Sequence, residues 1–182
     1  MRLGLVLTVT RGDYSSVGLS TLLQAYQDLG EPDDVVGLDL AGDEEIAYPA
    51  ELPSLLRKAK DRFGLGITIH AGETGRVENV RSAVELFGAD RIGHGTAASK
   101  DPHLLDLLAR QDICIEVCPI SNRLTGAVPV AGAHPLLEFR RHQVPFVICS
   151  DNPAIHQRGL ADDHATAMTE GLSASDISEQ FD

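Results

Sequence analysis

The chain has 182 residues, with 27 acidic against 15 basic side chains and a formal charge of −12. That length allows one domain of ordinary size or at most two small ones, and 43 % apolar residues suffice for a real core. An acidic balance with scattered Lys and Arg excludes a nucleic-acid surface, and no apolar run approaches the ~20 residues that cross a bilayer.

Leu3–Thr10 is a short, β-branched, nearly continuous apolar run, the pattern of a strand buried on both faces of a parallel sheet. Leu19, Leu22, Leu23 and Tyr26 follow at helical spacing. Val35–Leu40 is a second strand, and Leu52, Leu55, Leu56, Ala59 and Phe63 make a second helical stripe that Gly64 is placed to end. Leu65–Ile69 is the third strand, followed by the stripe Val77, Val80, Ala83, Val84 and Phe87 with its stop at Gly88. Arg91–Gly93 is the fourth. Behind Pro102, near a helix start where a missing N–H costs nothing, come Leu104, Leu105, Leu107 and Leu108. Ile113–Val117 is the fifth strand, Leu136, Leu137 and Phe139 a stripe behind Pro135, and Pro145–Cys149 the sixth strand. No repeat, linker or low-complexity tract interrupts this series, so residues 1–182 read as a single domain.

The apolar start Met1–Leu7 is too short for a secretory signal, and no small-residue cleavage site follows it. Three Cys with no CxxC fit reduced thiols, so a cytoplasmic location is expected.

Six strands alternating with five helical stripes predict an α/β fold with a parallel sheet. An open doubly wound sheet and a closed barrel both satisfy that alternation, and where the unusual polar residues fall separates them. The chain has no G-x-G-x-x-G or Walker A turn. Nearly every strand ends in polar chemistry instead: Thr10-Arg11, Gly42-Asp43-Glu44, His70-Ala71-Gly72-Glu73, His94, Glu116 with Cys118, and Asp151-Asn152. A (β/α)8 barrel collects such groups on one face, but usually needs ~250 residues with a floor near ~200. An incomplete TIM-type barrel is therefore expected.

His70 and Glu73 stand three apart at the exit of a strand, across a Gly that permits a tight turn. His94 lies between Gly93 and Gly95, and Asp151 ends an apolar run just before Pro153. A carboxylate at the end of a core strand must be paired, hydrogen-bonded or metal-bound. Two His, an Asp and a Glu are the ingredients of a zinc hydrolase.

Six stretches in order carry a resemblance to a known family. They are Gly37-Leu38-Asp39-Leu40-Ala41-Gly42-Asp43-Glu44, Thr68-Ile69-His70-Ala71-Gly72-Glu73, Arg91-Ile92-Gly93-His94-Gly95-Thr96, Glu116-Val117-Cys118-Pro119-Ile120-Ser121-Asn122, Leu124-Thr125-Gly126 and Ser150-Asp151-Asn152-Pro153. Together they resemble the adenosine deaminase family of the amidohydrolase superfamily, over essentially the whole chain. The resemblance implies zinc-dependent hydrolysis of an aminopurine nucleoside to the oxo-purine and ammonia, within purine metabolism. His70 and Asp151 would be zinc ligands, Glu73 would protonate the purine ring nitrogen, and His94 would orient and help deprotonate the attacking water. The Gly42 backbone N–H would bind another ring nitrogen. Asn152 stands where the family usually has an aspartate that contacts the base; an amide donates a hydrogen bond at every pH, so purine binding is expected to persist.

The family's His-x-His zinc pair, on its first barrel strand, does not occur here. By order of motifs Leu3–Thr10 matches the family's third strand, so strands three to eight are expected and the first two β/α units are missing. Two protein ligands are fewer than a zinc site normally has. The alternatives are a degenerate deaminase-like protein inactive by itself, or a deaminase of adenine or a modified adenosine. The expected partner is a small purine nucleoside; the sequence is silent on oligomeric state.

Other residues read more plainly. His103 and His142 fit helix faces, His134 a turn before a helix, and His164 a solvated acidic helix start with Asp162 and Asp163. His156, close after Asp151, stays open. Cys118 and Cys149 fit small core residues. Glu116 is expected to orient a ring or an Arg, and Asp43 and Glu44 fit helix-start charges.

Overall fold

The computed structural model of the chain describes residues 3–178. All six expected strands form: β1 (Leu5–Thr10), β2 (Val35–Ala41), β3 (Gly66–Ala71), β4 (Arg91–His94), β5 (Cys114–Val117) and β6 (Phe146–Ile148). Every pairing is parallel and joins successive strands, in the order β1-β2-β3-β4-β5-β6. A doubly wound sheet reverses its strand order at a switch point. This one never does. Sequential parallel strands with intervening helices are the arrangement of a (β/α)8 barrel, here incomplete, with no pairing between β6 and β1 among the described residues.

Helices α1 (Ser15–Asp28), α2 (Leu52–Phe63), α3 (Val77–Glu85) and α4 (Pro102–Arg110) follow the first four strands. Gly64 ends α2 in the left-handed conformation, and Pro102 opens α4 behind the Asp101 side chain, which accepts the His103 and Leu104 N–H groups. After β5 come α5 (Pro119–Leu124) and α6 (Leu136–Arg141); after β6 come α7 (Pro153–His156), α8 (Leu160–Thr169) and α9 (Ala174–Ser178). Helices α5 and α7 are too short for a periodic stripe, and the sequence did not mark them.

The core is one continuous cluster in which Leu38, Leu40, Ile67, Ile69, Ile92 and Ile115 from the strands meet Leu56, Phe87, Leu104 and Phe139 from the helices and their ends. Phe87 and Phe139 are fully buried, each contributing about 2–3 kcal/mol of transfer free energy. One expectation is corrected. Strand β1 reads as buried on both faces, yet Leu5 is 53 % and Val6 47 % exposed, and Leu3 lies outside the strand. The reason is position: β1 is an edge whose hydrogen-bonded neighbour is β2, so its apolar side chains lack the cover that inner strands enjoy. No helix among the described residues is long and apolar enough to cross a membrane.

Candidate active site

Because all strands run the same way, residues at their C-terminal ends share one face of the sheet. That face carries a cleft of about 680 Å³ lined by Gly42, Asp43 and Glu44 after β2, His70 and Glu73 at and after β3, His94 of β4, Thr125 and Gly126 after α5, and Asp151 after β6. Five of the six residues singled out from sequence therefore meet. Asn152 lies beside the cleft rather than in its lining: its Oδ1 accepts the Ile155 N–H at 3.4 Å and caps α7. A groove of similar size between α1 and α2 holds none of the six.

Two residues of the site carry backbone strain. His94 (φ +64°) and Asp151 (φ +52°) both adopt the left-handed conformation that side chains disfavour, at a cost of order 1–3 kcal/mol each. Gly93, paired in register with His70, has its hydrogen where a Cβ would sit 3.0 Å from the His70 Cγ, so the imidazole occupies space that only Gly leaves. Gly72 turns at φ +90° so tightly against α3 that a Cβ would lie 2.7 Å from the Val80 Cγ2.

Each site side chain is held by a partner. His70 Nδ1 pairs with Asp39 Oδ1 at 2.9 Å, and Asp39 is 6 % exposed in the middle of an apolar strand. Burial by itself lowers the His70 pKa, but the Asp39 hydrogen bond and charge, with Glu116 and Asp151, leave it raised. The pairing uses Nδ1 and leaves Nε2 for the cleft, the usual orientation of a metal-binding imidazole. Asp151 Oδ2 accepts the Ser121 hydroxyl at 2.6 Å. The rings of His70 and His94 meet edge to face, 5.2 Å between centroids. His94 Nε2 lies 3.6 Å from Glu73 Oε2, and its pKa is lowered: burial outweighs the Glu73 carboxylate and acts together with His70.

Glu44 is not a helix-start charge. Its Oε2 accepts the Gly72 N–H and the Asn79 amide, and its Oε1 the Glu73 N–H, each at 2.7 Å. One carboxylate thus holds the turn that presents Glu73. Asp163, read from sequence as solvated, is 1 % exposed; Oδ1 accepts the Ile120 N–H and ties α8 to α5. Its Asp162 neighbour does take the surface role, accepting the Gly159 N–H at 2.9 Å. Glu116 orients an Arg as expected, with Arg91 Nε donating to it at 2.5 Å. Cys118 is buried and Cys149 half-buried; burial pushes the Cys149 thiol up to about 12 and Cys118 higher still, so both stay protonated.

His134, expected as a simple pre-helix turn, is 2 % exposed and bonded to Asn122, which is itself bonded to His94. Burial pushes its pKa down to about 4. An unfolded His titrates near ~6.5, so between those values the unfolded chain holds a proton that the folded chain refuses. The stability from the neutral ring is complete above pH ~6.5 and is lost as pH falls toward 4, about 3 kcal/mol in full. Wild type is therefore expected to lose urea resistance between pH ~6.5 and ~4.5 more steeply than His134→Gln. Because the raised His70 titrates with the opposite sign, the difference between the two proteins is the quantity to measure. Parallel curves would count against a buried neutral His134.

The donors for a metal fit zinc in kind but not in number. His70 and Asp151 face one cleft, while no group of three or more His, Cys, Asp or Glu that could hold an ion occurs among the described residues.

A family model described as adenosine deaminase matches residues 4–180. The chain is 39 % identical over 151 residues to an adenosine deaminase of Erwinia tasmaniensis, covering 82 % of this chain and 45 % of that one. Its fold is similar to the N6-methyl-AMP deaminase of Arabidopsis thaliana, with a TM-score of 0.82 at 25 % identity, over 97 % of this chain and 51 % of that one. An amidohydrolase from Burkhoderia ambifaria solved with bound Zn shares the fold at a TM-score of 0.83 and 22 % identity, over 97 % and 49 % of the two chains. The chain spans about half the length of the relatives it matches.

Proposed function

Since the chain belongs to the adenosine deaminase family, we propose that it forms part of a hydrolytic deaminase of adenosine or a related aminopurine. The observation that carries this reading is the meeting of His70, Glu73, His94 and Asp151 with the Gly42 backbone in one cleft at the strand ends.

Hydrolytic deamination forms a carbon–oxygen bond from water and breaks the carbon–nitrogen bond of a cyclic amidine, releasing ammonia. The reacting carbon is a poor electrophile until the adjacent ring nitrogen takes a proton. Glu73 suits this proton transfer, since it lines the cleft on a turn fixed by Glu44, and a carboxyl group can give one proton and take another. His94, beside Glu73, addresses the attacking oxygen. The Gly42 N–H offers a donor to another ring nitrogen. The Asn152 side chain, with Oδ1 engaged in capping α7, keeps its NH2 for the base. His70 and Asp151 would hold zinc only together with ligands beyond the described residues; such an ion supplies a coordinated water acidified to a pKa near ~7.

Adenosine, adenine and N6-methyl-AMP, offered to the zinc-supplemented full-length protein with ammonia release as the readout, test the reading. Ammonia from any of them supports a deaminase and ranks its substrates. Because the described residues give two metal donors, a second reading is a purine-binding protein without turnover. Folded protein that binds adenosine and releases no ammonia would establish that second reading and end the first. A large rise in adenosine turnover in Asn152→Asp would remove Asn152 from the binding set.

A further inference from the structure

His134 and Asn122, neither used by the chemistry above, connect α6 to His94 through a line of buried hydrogen bonds. The three residues, His134, Asn122 and His94, are 2 %, 0 % and 3 % exposed. The line starts at the Leu136 backbone N–H, which donates to His134 Nδ1 at 3.2 Å. A backbone amide only donates, so this nitrogen is bare and the neutral ring carries its proton on Nε2. His134 Nε2 faces Asn122 Oδ1 at 3.3 Å, which sets the amide the other way round toward His94. Asn122 Nδ2 then lies 3.0 Å from His94 Nδ1. An amide NH2 also only donates, so His94 Nδ1 is bare as well. Turning the amide over would set its NH2 against the His134 N–H, donor against donor. Burial keeps His134 neutral near pH ~7, so the line has one proton arrangement.

We propose that His134 and Asn122 are positioning residues that place the His94 proton on Nε2, making His94 an N–H donor to the reacting oxygen and leaving proton transfer to Glu73. The Nε2 so protonated is the nitrogen 3.6 Å from Glu73 Oε2. The catalytic consequence rests on the deaminase reading; the proton location rests on the hydrogen bonds alone. It keeps one half of the role implied by the family resemblance and departs from the other: a neutral ring with its cleft-facing nitrogen protonated orients and stabilises an oxygen but has no lone pair there to deprotonate it.

Long-range proton–nitrogen correlation spectra of full-length protein labelled with nitrogen-15 histidine read the tautomer directly, with the His94 signals identified by their loss in His94→Gln. Wild type is expected to show a bare Nδ1 and a protonated Nε2. In Asn122→Asp a carboxylate oxygen faces Nδ1 and draws a proton onto it. Turnover is then expected to fall ~10²–10⁴-fold with KM nearly constant, the scale of loss seen when a catalytic imidazole is held in the wrong tautomer. A protonated Nδ1 in wild type would overturn the proposal, and so would a Nδ1 that stays bare in folded Asn122→Asp. The wild-type spectrum decides even where the variant does not fold. A protonated Nε2 in a protein that releases no ammonia supports the relay and counts against the deaminase reading only.

Discussion

Glu73→Gln in the full-length protein is expected to lower deaminase turnover ~10²–10⁴-fold, the usual contribution of a positioned general acid. Gln has the same length and can still donate a hydrogen bond, but it cannot hand a proton to a ring nitrogen and take another back. Its backbone N–H still reaches Glu44 Oε1, so the turn is retained. Stability should consequently stay within about 0.5 kcal/mol of wild type, as for a surface change that breaks no packing. The assay is conversion of adenosine to its oxo-purine, followed by the change in ultraviolet absorbance, with a urea titration beside it. Turnover within about threefold of wild type, far short of a general acid's contribution, would show that Glu73 is not the acid and that another group in the cleft protonates the base.

Glu44→Gln should be the costliest single substitution at the rim of the cleft. The carboxylate accepts three N–H groups, two from the backbone of the His70-Ala71-Gly72-Glu73 turn and one from Asn79 of α3. An amide of the same shape keeps one accepting oxygen and points two hydrogens at donors. Each backbone N–H left without an acceptor costs about 1–3 kcal/mol, so a loss of about 2–5 kcal/mol is expected in a urea titration. Activity should fall further than the folded fraction does, because a displacement of Glu73 by ~1 Å is worth up to ~10²-fold. A variant as stable as wild type would mean that the turn is held by the Thr96 hydroxyl and Ala97 N–H, both of which donate to the Gly72 carbonyl.

Most of the fold was legible because it depends on local pattern. Short β-branched runs alternating with helical stripes placed all six strands to within two residues at either end, and the residues at their ends marked the functional face. Composition did not show the exposure of β1, since an edge strand and an inner strand look alike and differ only in whether a neighbour arrives. Site residues show the same division. His70, Glu73, His94 and Asp151 stood out because polar groups at the ends of apolar strands need a reason to be there. Asp39 carried the same signal, a carboxylate inside the run Val35–Ala41, and could have been found by it. Glu44 carried it too, but nothing local showed that it holds the Glu73 turn, while Ser121, Asn122 and His134 lie away from the strand ends and carried no such signal.

By itself the sequence determined the order of strands and helices, the family resemblance and the residues able to exchange protons or bind a metal. These follow from side-chain chemistry and from periodicities of two and about 3.6 residues, which are local properties of a chain. Only the tertiary structure decided which polar groups are buried together: that Glu44 serves the Glu73 turn, that Asp163 is an interior tie, and that His134 reaches His94 through Asn122. Those partners lie 12 to 43 residues apart in the chain. Whether a polar side chain is solvated or must find a partner depends on what packs over it, and that is settled only when the sheet and helices close.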